Sequence, residues 1–248
     1  MNWKKWILDQ NWRRPEIRSF QNLQRALGIL GMLLPPACVF GALFITGTTV
    51  QNSISHYYHT NMGDVLVGLL ACAAIFLMTY AGYSPLDNVI TSLAGFAAAG
   101  IVVFPSPTYP QHDLERIGIL HLAQKVSGPI HMGFSAAFFI LLAVISIFLF
   151  TLSDRKNPGD RKLRRNRIYL WSGIAILVCL AALLVISLAS RRFFENSFIA
   201  LIFEWVMLWA FGVAWVVKGG FPGLADASKP AQAVPAAARA KKPAPRRR

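Results

Sequence analysis

Six apolar stretches, 26–47, 65–83, 89–104, 130–152, 168–189 and 198–217, hold between them a single Asp, Glu, Lys or Arg, namely Glu204. About 20 helical residues cross a bilayer core, so each stretch is a candidate span, the third a short one that can borrow Leu86 to Asn88. Backbone groups in hydrocarbon must be satisfied within their own segment, which leaves helices or closed barrels. The alternating pattern of a barrel strand is absent. The expected architecture is therefore all-α: a polytopic membrane bundle of six transmembrane helices over 26–220, preceded by segment 1–25 and followed by a tail over 221–248.

Charge orients this bundle. Of the 25 Lys and Arg residues, six precede the first stretch, seven lie between Arg155 and Arg167, and eight follow from Lys218 onward. The alternate connections carry none, two (Arg116, Lys125) and two (Arg191, Arg192). Basic residues stay on the cytoplasmic side, which places both termini there, in a bacterial cytoplasmic (inner) membrane. The net charge of +14 is then an account of orientation. Membrane lipid phosphate suffices as partner for the basic loops, and nucleic acid is not required.

The first 25 residues are too polar for a cleaved signal peptide. Trp3, Trp6 and Trp12 among Lys4, Lys5, Arg13 and Arg14 suit an amphipathic segment on the inner leaflet. Cys38, Cys72 and Cys179 lie far apart within spans and read as free thiols. The Ala, Pro, Lys and Arg tail cannot build a core and is expected to be disordered.

Between the stretches, Ser84-Pro85-Leu86-Asp87-Asn88 predicts a tight turn that pairs spans two and three as a hairpin. Ala94, Gly95, Ala98 and Ala99 give span three a close-approach surface. Pro35-Pro36 removes two amide donors from span one and predicts a kink. The loop 105–128 opens on an extended Pro-rich run. Leu114, Ile117, Leu120 and Val126 then recur at roughly helical spacing, predicting a short interfacial helix before Gly128-Pro129 starts span four.

The first outer loop concentrates chemistry. Asn52 to Asp64 includes Ser53, Ser55, His56, Tyr57, Tyr58, His59 and Thr60 and no basic residue, a set that can bind a cation or exchange protons. It also has a structural reading: Thr60 or Asn61 as cap of span two, Asp64 complementing the helix dipole, Tyr57 and Tyr58 in the aromatic belt. His131 opens span four at the same face, His121 lies ten residues earlier, and His112 and Asp113 fall further out in solvent. Glu204 sits about 10 Å below the outer end of span six. A charge at that depth calls for a partner, with His131, His59 and Arg192 the candidates, or for a protonated carboxyl hydrogen-bonded between helices.

From Ser53 to Gly220 the chain resembles an uncharacterised family of bacterial six-span membrane proteins. The likeness rests on Ile54-Ser55, Tyr57-Tyr58-His59-Thr60, Asp64, Phe104-Pro105, His121, Arg165-Asn166-Arg167-Ile168-Tyr169, Glu204 and Trp215 to Gly219. It implies the topology and no activity. Ser55-His56-Tyr57-Tyr58-His59 with Asp64 also resembles one element of the transmembrane hydrolases that include alkaline ceramidases and adiponectin receptors, which bind zinc. Their His-x-x-x-His pair is missing here, the acid follows too closely, and six spans replace seven.

Two functions follow as expectations. The first is a binding, transport or assembly protein whose outer pocket, walled by His56 and Tyr58, takes a lipid head group or small solute. The second is a membrane-embedded hydrolase of a lipid amide or ester. That enzyme would hold zinc with His59, His131 and one of His121 or Asp64, and would use Ser55 or Glu204 as the catalytic group that orients water or shuttles its proton.

Overall fold

The computed structural model of the chain describes residues 15–82, 84–108, 115–152 and 159–220. The N-terminal tryptophans, His112, Asp113 and the basic tail lie outside the described residues. Among the described residues the protein is almost wholly helical: α1 (Pro15–Gly41), α2 (Gly63–Thr79), α3 (Pro85–Val103), α4 (Gln124–Val144), α5 (Asp160–Ala189), a short α6 (Arg191–Glu195) and α7 (Ile199–Lys218). Two-residue strands β1 (Arg116–Ile117) and β2 (Leu122–Ala123) form a hairpin before α4.

Five helices are long and apolar enough to cross a membrane, and α2, at 17 residues, is a shorter apolar one. Their outward faces carry large apolar side chains, among them Leu177, Val178, Leu184 and Val185 on α5. Water would not tolerate so continuous an apolar surface, whereas lipid would. This is the surface of a membrane protein.

The large helices pack in a closed ring. Each contacts its chain neighbour from α1 to α5, α5 packs on α7, and α7 returns to α1. At the closure, Arg25 on α1 donates to the Gly219 and Gly220 carbonyls beyond α7, both at 2.7 Å. A cation on a helix C-terminus answers carbonyls left without amide partners. The described chain thus enters and leaves the bundle at one end. Trp215, fully buried, fills that end among Phe76, Tyr80, Phe150 and Phe211.

The turn between α2 and α3 forms as its residues dictate. Ser84 caps α3, accepting from the Asp87 amide while Asp87 accepts from the Ser84 amide, and Pro85 occupies the first helical position. Small residues bring the two helices close: a Cβ on Gly95 would stand 2.6 Å from the Ala74 carbonyl.

Two local expectations are corrected. The segment read as an interfacial helix is instead the β1–β2 hairpin, because Gly118 (φ 72°) and His121 (φ 48°) take left-handed backbone that a helix cannot run through. Its turn leaves Ile119 and Leu120 exposed. Consequently α4 begins at Gln124 rather than after Gly128-Pro129. Fully buried Gln124 anchors that start, donating to Thr108 Oγ1 and Glu115 Oε2 and accepting from the Thr108 amide.

In α1 the helix continues through Pro35 and Pro36 to Gly41, then widens into a π turn over Ala42–Thr46. Pro36 has no N–H to give the Met32 carbonyl four residues back. Trp209 Nε1 on α7 donates to that carbonyl instead, at 3.0 Å. The donor lost to proline is replaced from the neighbouring helix, which lets the span persist in an apolar medium.

Candidate functional site

At the end of the bundle opposite the termini, α1 is joined to α2 through an irregular loop and a 3₁₀ turn, Ser55–His59. The loop is fastened to the start of α7. Leu201 N–H donates to the Asn52 carbonyl at 2.9 Å, and Asn52 Nδ2 donates to the Glu195 carbonyl at 2.7 Å. Glu204 completes the attachment. Its carboxyl accepts from Ser53 Oγ at 2.9 and 2.8 Å and from the Ile54 amide at 2.6 Å, while the Ser55 amide donates to Ser53 Oγ at 3.1 Å. Carboxyl acceptors at the N-terminus of a turn satisfy amides that the turn itself leaves open. Glu204 therefore holds the loop against α7, and its partners are Ser53 and Ile54 instead of His131, His59 or Arg192. Arg192 belongs to α6, whose neighbour Arg191 pairs with Glu195 on the surface.

The histidines are organised by a second irregular segment. Beyond α3 the backbone runs extended through Phe104-Pro105-Ser106, and its three successive carbonyls each receive a side chain. His131 Nδ1 donates to Phe104 O at 2.7 Å, Ser127 Oγ to Pro105 O at 2.8 Å, and His59 Nε2 to Ser106 O at 2.7 Å. Ser106 Oγ in turn donates to the Ser55 carbonyl at 3.1 Å. Non-helical backbone inside an apolar bundle persists only when its polar groups are met this way. Carbonyls can only accept, so Nδ1 of His131 and Nε2 of His59 carry protons, and the other ring nitrogen of each neutral imidazole is an acceptor.

These segments line a partly open cavity of about 60 Å³, room for a few water-sized groups. Ser55, Tyr58, Ser106, His131, Ser135 and Glu204 supply its polar wall. Leu34, Leu66, Leu70, Phe138, Phe139 and Leu208 supply much of the apolar remainder. The Tyr58 ring meets the His59 ring edge-on at 5.3 Å between centroids.

The expected site residues divide accordingly. Ser55, Tyr58, His131 and Glu204 all line the cavity, and His59 is tied to Ser106, another lining residue. His56 shares the 3₁₀ turn. Asp64 is exposed in the first turn of α2, where an acid complements the helix dipole. His121 is exposed on the hairpin. Thr60 Oγ1 accepts from the Met62 amide at 3.1 Å just ahead of α2, but Met62 is itself the N-cap and no side chain caps the helix, so neither Thr60 nor Asn61 takes the expected capping role.

Zinc needs three protein ligands at one point. His59 and His131 each spend one nitrogen on a carbonyl, as ligating histidines do. Among the described residues, however, no group of three His, Cys, Asp or Glu side chains could hold a metal ion. The donor set does not fit zinc, and no chemical step is derived through a metal.

Ser106, Ser127 and Ser135 escape the sequence reading, which places Ser53 in the polar outer loop without its Glu204 partner. Ser127 has a usable signal: it lies four residues before His131 on the same helical face, so both can address one neighbouring strand of backbone. Ser106 carries none.

Burial, with the imidazoles of His59 and His131 nearby, pushes His56 down from its ordinary 6.5 to about 4. Between those values the unfolded chain holds the extra proton and the folded protein does not, so stability rises with pH across that window. The contribution is complete above pH 6.5 and is lost as pH falls through about 4. The thermal midpoint of detergent-solubilised protein should fall from about pH 7 to about pH 4.5, and His56→Gln should flatten that slope. An unchanged slope in the variant would assign the effect to other groups.

Comparison of the chain with protein-family models, with curated proteins and with solved structures gives no match.

Proposed function

We propose that the protein is a six-span bundle of the bacterial cytoplasmic membrane, with both termini cytoplasmic, whose outer-end cavity binds a small amphipathic ligand or a lipid head group. The likeness to bacterial six-span proteins is part of the same proposal. The cavity carries the reading: a mostly apolar lining that also holds serine, tyrosine, imidazole and carboxyl groups is the usual composition of a binding site. For the orientation, the support is that Arg25 and Lys218 stand at the end of the bundle bearing the basic connections, and the histidine-bearing loops at the other. As for the sixth crossing, the 17 residues of α2 reach about 26 Å, at the short end of what spans hydrocarbon.

Native mass spectrometry of protein released from micelles tests the binding role. Wild type should carry a co-purified small amphiphile, and Leu70→Trp, which fills the chamber, should not. Equal occupancy in both would remove the cavity from the function. Phosphatase fused after Asn61 should be active and after Gly159 inactive, and the reverse pattern would invert the orientation.

A further inference from the structure

The described residues lining the cavity include one carboxyl group and one imidazole but no Lys or Arg. The first outer loop adds no basic residue either. What the wall offers is therefore dipoles and acceptors. Glu204 brings a carboxyl already engaged by Ser53 and Ile54, and the second nitrogen of His131 is left as an acceptor by the proton on Nδ1. Ser55, Tyr58 and Ser135 contribute hydroxyls, which both donate and accept.

An anionic head group would enter this chamber without a cation to meet it and with a carboxyl facing it. Such a charge is expensive to desolvate unpaired, and sites that take phosphate supply Arg, Lys or a helix N-terminus. A cationic head group would give up its hydration to a wall whose one carboxyl is already engaged by Ser53 Oγ and the Ile54 amide, leaving it the single imidazole of His131 and hydroxyls as partners. A hydroxyl has neither difficulty. It donates to the His131 acceptor and accepts from a serine or tyrosine, while the methylenes next to it lie among Leu34, Leu66, Leu70 and Phe138 and the rest of the chain leaves through the open side of the cavity.

We infer that the cavity selects an uncharged, hydroxyl-terminated single-chain amphiphile and rejects anionic head groups, phosphate above all. This rests on the proposed ligand-binding role of the same cavity and names the ligand class.

The test uses the full chain in neutral-lipid nanodiscs at pH 7.5 with a dodecanol analogue bearing a mid-chain diazirine. On irradiation the label should map to α2 and α4 around Leu70 and Phe138. Unlabelled dodecanol should block labelling at a mole fraction at least about tenfold lower than dodecyl phosphate or dodecylammonium. Leu70→Trp should abolish labelling, and if that variant does not fold, Val67→Phe on the same wall replaces it. Competition by dodecyl phosphate or dodecylammonium as effective as that by dodecanol would overturn the neutral-alcohol selectivity while leaving an amphiphile pocket in place. Labelling that maps elsewhere and persists in the filled variants would overturn both this inference and the binding role beneath it.

Discussion

Gly212→Ile is expected to abolish the folded bundle. Gly212 on α7 meets Gly28 on α1 where the two helices close the ring, and a Cβ on either glycine would stand 2.6 Å from the other's carbonyl oxygen. The Met32 side chain presses on the same point from α1, and Gly31 is covered by the Phe211 ring. Because the colliding atoms are backbone, relief requires the helices to separate rather than a rotamer to change. Association in lipid depends on close packing more than on any apolar driving force, so separation removes what holds the pair. The Trp209 bond to Met32 and the Arg25 cap on α7 would go with it. Overpacking commonly costs 1–3 kcal/mol; here a β-branched side chain against backbone should cost more than about 3 kcal/mol. Yield of monodisperse protein and thermal midpoint should both collapse, whereas Gly68→Ile, where a Cβ meets nothing within 4 Å, should be nearly silent. A stable Gly212→Ile protein would mean that the ring closes elsewhere.

Much of this fold is legible because apolar run length is a strong signal. Five of the six apolar stretches overlap a helix long enough to cross a membrane and the second overlaps the shorter α2, and Ser84-Pro85-Leu86-Asp87 announces its turn from residue types alone. The hairpin was not legible, since Ile117 and Leu120 satisfy helical spacing as well as a turn, and only the left-handed backbone at Gly118 and His121 decides between them. Helix starts were placed too late for a related reason. Polar residues such as Gln24 and Gln124 look excluded from a span, yet Gln24 donates to the Tyr80 hydroxyl and Gln124 to Thr108, and satisfied polar groups extend a helix beyond its apolar run.

For the site, the residue types point to the end of the molecule that holds the cavity but not to the pairings. The histidines and Glu204 stand out as polar groups in apolar surroundings, while their partners include the peptide groups of Phe104, Ser106 and Ile54, which no sequence pattern marks. Asp64 and His121 have the right chemistry in positions that face outward. Spacing along a chain cannot distinguish a ligand from a dipole partner when the deciding neighbour comes from another helix.

Glu204→Ala is expected to release the outer loop from α7 and open the cavity. The substitution leaves the Ile54 amide and the Ser53 hydroxyl without their acceptor, and unmet buried donors cost roughly 1–3 kcal/mol each. The total should be about 3 kcal/mol, because Ser53 can rotate toward another acceptor while the Ile54 amide is fixed by the 3₁₀ turn. Glu204→Gln should lose less, keeping one oxygen for Ile54 while its NH₂ opposes a donor. The remaining ties, Leu201 to Asn52 and Asn52 to Glu195, hold the residue just before Ser53, and Ser106 holds the Ser55 carbonyl, so freeing Glu204 loosens Ser53 and the Ile54 amide between them first. Hydrogen exchange should show this directly: faster exchange at Ile54 and Ser55 in Glu204→Ala, with α3 and α5 unchanged. A purely electrostatic role would instead leave exchange at Ile54 as slow as in wild type, since the loop would then hold its shape without the carboxyl. Because Ser55 and Tyr58 form the cavity wall through this same turn, loss of labelling by an amphiphile should accompany the faster exchange.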